Sequence, residues 1–193
     1  MTLAYVLDGA LYLNLTNRCT NDCVFCFRND RYVFGGYDLR LPSEPTLAEM
    51  VAALPPDLAA YREIVFCGLG EPTENLDTLL ALGQYLRDRT DTPLRLNTNG
   101  FGELSNGRPF APALTFLTSV SISLNAPDAA RYVELCRPTP GEAAYAAIRA
   151  FAAECRQYVP NVTCSVVGSA LHHTEIEACR AWCAALGIHF RIR

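Results

Sequence analysis

Apolar and polar residues alternate along several short segments of the chain, and this period of two predicts β-strands with one polar face. Residues 4–7 and 11–16 flank the turn signal Asp8-Gly9 and predict a hairpin. Further strands are predicted over 63–67, 94–98, 120–124, 162–167 and 188–192. From 11–16 onward this makes six strands separated by helical segments, which predicts a parallel sheet in one α/β domain spanning 1–193.

Capping signals and apolar spacing place helices between these strands. Boxes of the form Thr-x-x-Glu predict helix starts at 46–49, 139–142 and 174–177. In the second box, Pro140 takes the favoured first helical position. Leucines at helical spacing predict another helix around 76–83, and 109–116 predicts a short one.

The polar strand faces predict the shape of the sheet. Parallel strands covered on both sides are usually apolar on both faces, and closed eight-stranded barrels fill their interior with branched aliphatic residues. Amide, hydroxyl and basic side chains on one face therefore indicate a curved sheet around a wet cavity. An antiparallel sheet with one solvated face is the alternative, but it fits poorly with helices between the strands.

Three cysteines directly after the strand 11–16 carry the most specific chemistry. Cys19, Cys23 and Cys26 have the spacing C-x3-C-x2-C, and Phe25 precedes the last of them. Three thiolates on one loop can hold three corners of a cubane iron–sulfur cluster. Full ligation needs a fourth cysteine, which the neighbouring sequence lacks, so one iron stays open for a ligand. The alternatives are a zinc site, whose second ligand pair is missing here, and buried cysteines, which the polar surroundings of 16–23 disfavour.

A glycine-rich turn follows the predicted strand 63–67. Gly68 and Gly70 let a ligand approach the backbone closely, and the turn continues into Glu71. Polar residues at later strand ends suit ribose hydroxyls and a carboxylate, with ordinary turn chemistry as the alternative. They are Asn97, Thr98, Asn99, Ser123 and Asn125. Arg137 is a candidate carboxylate partner, because a guanidinium pairs with a carboxylate through two hydrogen bonds; the alternative is a surface arginine.

Composition narrows the function further. All sixteen basic residues are arginines, so a lysine Schiff base and a Walker-type phosphate loop are excluded. The formal net charge is −4, which disfavours loose binding to nucleic acid. Nine cysteines without a regular framework predict a reducing cytoplasm. Neither a signal peptide nor an apolar run of membrane-spanning length is predicted.

The cysteine spacing with Phe25, followed by the Gly68–Glu71 turn, resembles the radical S-adenosylmethionine (radical SAM) enzymes. More narrowly, the runs around Cys19–Cys26, Phe66–Thr73 and Leu135–Pro138 resemble the TatD-associated radical SAM proteins. The resemblance implies a partial (β/α)6 TIM-like barrel with a short N-terminal hairpin. It also implies a 4Fe–4S cluster on the three cysteines and S-adenosylmethionine as cofactor. Phe25 would lie near the adenine, and the Gly68–Glu71 turn, the polar strand-end residues and Arg137 would contact the ribose and methionine parts of the cofactor.

The resemblance further implies reductive cleavage of the cofactor to a 5′-deoxyadenosyl radical, which abstracts hydrogen from a substrate. An external one-electron donor such as flavodoxin or ferredoxin is required, and a functional link to a TatD-type hydrolase is expected. Asn14, His189 and Arg191 are candidate substrate contacts because they face the predicted cavity. The substrate itself, a small molecule or a macromolecule, is not identified by the sequence.

Alternative functions stay open at this point. A 7-carboxy-7-deazaguanine synthase-like activity suits the short chain, and a glycyl-radical activase suits an open barrel. A cluster-bearing sensor without turnover is the alternative from another class. The long segment 27–45, which contains Gly35-Gly36, is a candidate lid or partner-binding element. Cys136 is a candidate cavity neighbour, whereas the remaining cysteines read as structural.

Overall fold

A seven-stranded sheet organises the protein. The computed structural model describes residues 1–29 and 32–193. The strands of the main sheet are β1 (Ala4–Leu7), β2 (Ala10–Asn14), β5 (Ile64–Cys67), β6 (Leu94–Thr98), β7 (Ser119–Ser123), β8 (Asn161–Val166) and β9 (His189–Ile192). A separate two-stranded hairpin consists of β3 (Val33–Phe34) and β4 (Tyr37–Asp38).

The strands lie side by side in chain order, β1-β2-β5-β6-β7-β8-β9. Only β1 runs antiparallel, paired with β2 through the Asp8-Gly9 turn, and every later pair is parallel. β1 and β9 form the two edges of this open sheet. The predicted α/β architecture of six parallel strands behind a hairpin is therefore confirmed.

Six α-helices accompany the sheet in the described part of the chain. They are α1 (Leu47–Ala52), α2 (Leu76–Arg87), α3 (Gly102–Asn106), α4 (Ala129–Cys136), α5 (Ala143–Cys155) and α6 (His173–Ala185). Short 3-10 segments lie at Phe27–Asn29, Pro72–Asn75, Ala111–Phe116 and Gly168–Ala170. The capping box at Thr46 and Glu49 is present as predicted.

Two of the predicted helix starts are wrong. α5 begins at Ala143, and Gly141 before it has a left-handed φ of 61°, which cannot continue a helix. Thr139 instead donates its N–H (2.8 Å) and hydroxyl (3.1 Å) to the carbonyl of Thr20. α6 begins at His173, earlier than predicted, where the Glu175 carboxylate accepts from the His172 N–H at 2.7 Å. Helices α3 and α4 were not predicted.

The apolar face of each strand packs against the helices. Leu13, Phe66, Leu96 and Ile122 are fully buried in one continuous core. Gly83 on α2 makes room for this packing, since a Cβ there would lie 2.2 Å from the ring of Phe116. The polar faces of the same strands point to the other side of the sheet, as the period of two requires.

The segment 27–45 carries the hairpin β3–β4 and is tied to the sheet at Leu39. The carbonyl of this buried residue accepts from the side-chain amides of Asn14 (2.9 Å) and Asn17 (3.1 Å). Residues 30 and 31 lie outside the described part of the structure, so the lid function stays a prediction. None of the helices within residues 1–29 and 32–193 combines the length and the apolar character of a membrane span.

Candidate cofactor and substrate cavity

The concave face of the sheet borders a cavity of about 860 Å3. Its walls combine the polar strand positions with the loops at the carboxyl ends of the strands. The strand residues include Tyr12, Cys67, Arg95, Asn97, Ser121, Ser123 and Arg191. The alternation seen in the sequence thus predicted a cavity lined by polar strand residues, because side chains of residues i and i+2 share one face.

The loop with the three cysteines forms one end of this cavity. Cys19, Cys23 and Cys26 are half-buried, and all three line the cavity. The loop is bound to the end of α4: the N–H of Asp22 donates to the carbonyl of Cys136 (3.0 Å) and that of Val24 to Leu135 (2.9 Å). The last carbonyls of a helix have no partner within the helix, so α4 supplies ready acceptors that fix the loop.

The cysteine set fits an iron–sulfur cluster by its chemistry. Burial raises the pKa of the Cys19 thiol to about 12, so loss of its proton is coupled to metal binding. The N–H of Asn21 points at its sulfur at 3.4 Å and can donate to it. Within the described residues, no His, Cys, Asp and Glu side chains converge as ligands of a single ion. A cubane takes each thiolate at a different iron, so its ligands need not meet at one point.

Cys136 lies behind the loop rather than in the cavity. Its thiol is buried, interacts with the Cys23 thiol, and accepts from the side-chain amide of Asn125 at 3.7 Å. Hydrogen bonding from Cys23 lowers the pKa of Cys136. The residue therefore connects the cysteine loop to the end of β7.

The glycine turn after β5 is bonded to the backbone that leads into the cysteines. The N–H of Gly70 donates to Thr16 (3.1 Å) and that of Glu71 to Arg18 (2.8 Å). A Cβ on Gly70 would lie 2.4 Å from the Thr16 carbonyl oxygen. Only glycine permits this approach, so the turn and the cysteine loop are positioned together.

Glu71 connects this turn to the next strand end. Its buried carboxylate accepts from the Thr73 N–H and hydroxyl (3.2 and 2.8 Å), the Thr98 hydroxyl (2.7 Å) and the Asn99 N–H (2.6 Å). Burial raises the pKa of this carboxyl, and the four hydrogen bonds oppose that shift. Glu71 borders the cavity, but its carboxylate is already engaged in holding the loops.

The other predicted cofactor residues line the cavity with different amounts of free hydrogen-bonding capacity. The amide Nδ2 of Asn99 is buried and has no partner among the described residues. Such an unpaired buried donor indicates a ligand. Asn97 uses its Oδ1 to accept from Arg95 (2.8 Å), and Asn125 has a left-handed φ of 56°. Phe25, Gly68, Thr98 and Ser123 are also lining residues.

Three predicted site residues lie elsewhere. Arg137 ends α4 with a left-handed φ of 45°, and its exposed side chain lies 3.9 Å from Asp22. Asn14 is buried and donates to the carbonyls of Thr2 (3.0 Å) and Leu39 (2.9 Å). His189 is exposed at the edge strand. None of the three is among the described residues that line the cavity, whereas Arg191 is.

The candidate site residues chosen from the sequence leave out a charged part of the wall, although the strand periodicity places Arg95 and Tyr12 on the polar face. Arg95 binds Glu63 through two hydrogen bonds of 2.9 and 3.0 Å, and Tyr12, Arg62 and Arg193 also line the cavity. The signal was the period of two: Glu63 and Arg95 lie on the same strand faces as Cys67 and Asn97. Arg193 likewise follows Arg191 by two residues.

The structure is that of an α/β protein with an open, mostly parallel sheet. At the carboxyl edge of the sheet lies a cavity bordered by a loop of three cysteines. The family model of the Radical SAM superfamily matches residues 13–180, and the chain belongs to this superfamily. The sequence resemblance is thereby confirmed at the level of the superfamily. The narrower TatD-associated resemblance stays a prediction.

Solved structures show the same fold. A radical SAM methyltransferase from Sphaerobacter thermophilus superposes with a TM-score of 0.65 at 21% identity, covering 98% of this chain and 57% of that protein. Streptococcus suis SuiB bound to S-adenosylmethionine superposes with a TM-score of 0.66 at 16% identity, covering 95% and 40%. SuiB bound to its precursor peptide SuiA superposes with a TM-score of 0.65 at 15% identity, and the match covers 95% of this chain and 38% of that protein.

The chain therefore spans between 38% and 57% of the length of these proteins. Among curated proteins, none matches the sequence.

Proposed function

We propose that this protein is a radical SAM enzyme that binds a 4Fe–4S cluster through Cys19, Cys23 and Cys26 and binds S-adenosylmethionine beside it. When bound, this pair supplies a 5′-deoxyadenosyl radical by one-electron reduction of the sulfonium. The radical would abstract hydrogen from a substrate in the cavity. Superfamily membership and the S-adenosylmethionine-bound SuiB support the cofactor assignment.

One observation carries the proposal: a single cavity joins the cysteine loop, the glycine turn and an unpaired amide donor. The three cysteines, Gly68 and Gly70, and Asn99 all line it. Each comes from the carboxyl end of a different strand or from the loop that follows it, which is where open α/β sheets bind ligands. The chain's own contribution is to orient the cofactor, to hold the thiolates and to separate the reacting space from bulk water.

Different residues of the cavity would bind different parts of the cluster and the cofactor. The thiolates provide the metal ligands, and the backbone of the turn can meet the cofactor's ammonium group. Asn99 can donate its unused Nδ2–H to a carboxylate or a ribose oxygen, while Ser123 and Asn125 offer further polar contacts. Phe25 offers an apolar surface for the adenine. An external donor such as flavodoxin or ferredoxin supplies the electron.

The test is anaerobic reconstitution with iron and sulfide, followed by incubation with S-adenosylmethionine and dithionite. We expect cluster absorbance and formation of 5′-deoxyadenosine, measured by liquid chromatography. Cys26→Ser should lose both. Cys155→Ala, which changes a buried core cysteine outside the cavity, is the matched control and should keep both.

Two results would overturn the proposal. An intact cluster without 5′-deoxyadenosine would indicate a sensor, and tetrahedral zinc in place of iron would remove the cluster altogether. If cleavage occurs, adding a deazaguanine precursor or a glycyl-radical enzyme tests the two alternative reactions. A TatD-type hydrolase can be added in the same way to test the expected functional link.

A further inference from the structure

We propose that Arg191 binds an anionic group of the substrate, a carboxylate or a phosphate, on the concave face of β7–β9. The inference rests on the proposed function and deepens it, because it names the chemical class of the substrate. Three observations support it: the direction in which the Arg191 and Arg193 side chains extend, the positive charge of the cavity wall, and the distance of Arg191 from the cysteine loop.

Arg191 of the edge strand β9 and Arg193, directly after that strand, extend across the concave face. Arg191 donates to the hydroxyl of Ser121 at 3.2 Å. Arg193 donates to the hydroxyl of Ser123 and the Oδ1 of Asn125, both at 3.2 Å. Their acceptors belong to β7 and the residue stretch after it, although β8 lies between β7 and β9. Both side chains therefore extend across β8.

The concave surface under this crossing carries small residues. In register, Ser165 of β8 lies between Ser123 of β7 and Arg191 of β9. Ser165 is 1% exposed. Short hydroxyl side chains at these positions leave space above the strands for the guanidinium groups, and a larger apolar residue at Ser165 would fill it.

The cavity wall is positively charged although the protein is not. The described lining contains four arginines (62, 95, 191 and 193) and two carboxylates, Glu63 and Glu71, which leaves 4 − 2 = +2 in a chain of net charge −4. The Glu63 carboxylate forms ion pairs with Arg95 at 2.9 Å and with Arg62 at 3.6 Å. Glu71 is occupied by its four donors. A cleft lined by one sign of charge concentrates ligands of the opposite sign.

Arg191 and Arg193 are the arginines left over from this pairing. In the described structure, neither has a carboxylate within ion-pair distance, and both use neutral oxygens as acceptors. A guanidinium offers five donors in a planar fork that matches a carboxylate or a phosphate. An anion would replace weak neutral contacts by charge-assisted ones, which are roughly twice as strong.

Position assigns Arg191 rather than Arg193 to the substrate. Arg193 reaches Ser123 and Asn125, which we assign to the cofactor. Arg191 reaches Ser121, two residues earlier on the same strand face and therefore farther from the carboxyl ends that carry the cysteine loop. In register, Ser121 lies beside Asn97, whereas Arg95 lies beside Ser119. The Arg191 guanidinium is thus one step below Ser123 and one step above the level of Arg95.

The test measures binding of simple anions to the reconstituted protein, first without and then with saturating S-adenosylmethionine. Succinate and inorganic phosphate are titrated by calorimetry, and succinamide serves as the neutral isostere of succinate. We expect one of the two anions to bind and succinamide not to bind. Arg191→Met should weaken that binding roughly tenfold or more. Arg89→Met, on the outer surface beside Tyr85, is the matched control and should bind like the wild type.

Three outcomes overturn the inference. Binding of neither anion removes the site. Equal binding by wild type and Arg191→Met moves the site elsewhere. Loss of anion binding when S-adenosylmethionine is added means that the arginine serves the cofactor's carboxylate instead. Cluster absorbance and 5′-deoxyadenosine formation by the wild type are measured separately, so failure of the proposed function is distinguishable from failure of the anion site.

Discussion

The cysteine end of the cavity and its arginine wall are built by different means. At the cysteine end, backbone groups fix the geometry: the loop binds the last carbonyls of α4, and the glycine turn binds the chain before the cysteines. On the arginine wall, arginine side chains reach to other strands, where they donate to hydroxyls, amide oxygens and one carboxylate. Backbone contacts hold the cysteine end rigidly, whereas single substitutions can alter the arginine wall without disturbing the sheet.

The largest expected effect separates the two regions directly. Cys19→Ser should abolish cluster absorbance and lower 5′-deoxyadenosine formation by roughly 100-fold or more, because a ligand is lost outright. Arg95→Met on the opposite wall should keep the cluster. Equal loss of the cluster in both variants, measured by iron content and visible absorbance, would show that the two regions do not differ as described.

Glu71→Gln tests how strongly the cysteine end depends on one buried acceptor. The amide NH2 would face groups that now donate to a carboxylate, leaving buried donors unpaired. We expect a loss of about 3 kcal/mol in the free energy of unfolding, measured by urea denaturation. Thr98→Val removes one of these donors and also the acceptor of the Gly100 N–H at 3.0 Å. It should still cost less, and a larger cost for that variant would contradict the central role of Glu71.

Gly70→Ala tests the contact between the glycine turn and the cysteine loop. The added Cβ would lie within 2.5 Å of two carbonyl oxygens, of Thr16 and Arg18, so overpacking should cost about 2 kcal/mol and reduce cluster occupancy. Gly107→Ala is the control. It has a left-handed φ of 64° and open space around it, so it should cost about 1 kcal/mol and leave the cluster intact.

The smallest expected effect lies on the arginine wall. Glu63→Gln removes the carboxylate that Arg95 and Arg62 share, but Arg95 keeps its bond to Asn97 at 2.8 Å and faces a wet cavity. We expect a stability loss of about 1 kcal/mol. The affinity for whichever anion binds to the wild type in the titration should rise by a few-fold, because the wall becomes more positive. Unchanged or weaker binding, measured by the same calorimetry, would argue against an electrostatic wall.

Local sequence patterns predicted much of the fold and part of the site. The period of two gave the strands and the polar concave face, and the spacing of Cys19, Cys23 and Cys26 singled out the loop that the structure places at the cavity. Capping patterns were less reliable. Thr139 begins a Thr-x-x-Glu box, yet no helix starts there, because Gly141 has a left-handed φ of 61° and α5 begins only at Ala143.

Long-range packing decided the rest. Nothing near Arg137 in sequence shows that α4 ends in a left-handed residue that turns its side chain outward, and nothing near Asn14 shows that Leu39 captures its amide. The same holds for the engagement of Glu71 by Thr98 and Asn99. These contacts depend on which residue from elsewhere in the chain comes close, and the spacing of residues in a local motif does not reveal that.

The polar-faced parallel sheet and the loop of three cysteines are encoded in neighbouring residues, so they can be predicted from local patterns. The anchoring of that loop by α4 and the contacts of Arg191 and Arg193 with β7 across β8 emerge only in the folded protein. Strand periodicity fixes the face on which a side chain lies, whereas the partner of that side chain and the charges around it depend on strands far apart in the chain.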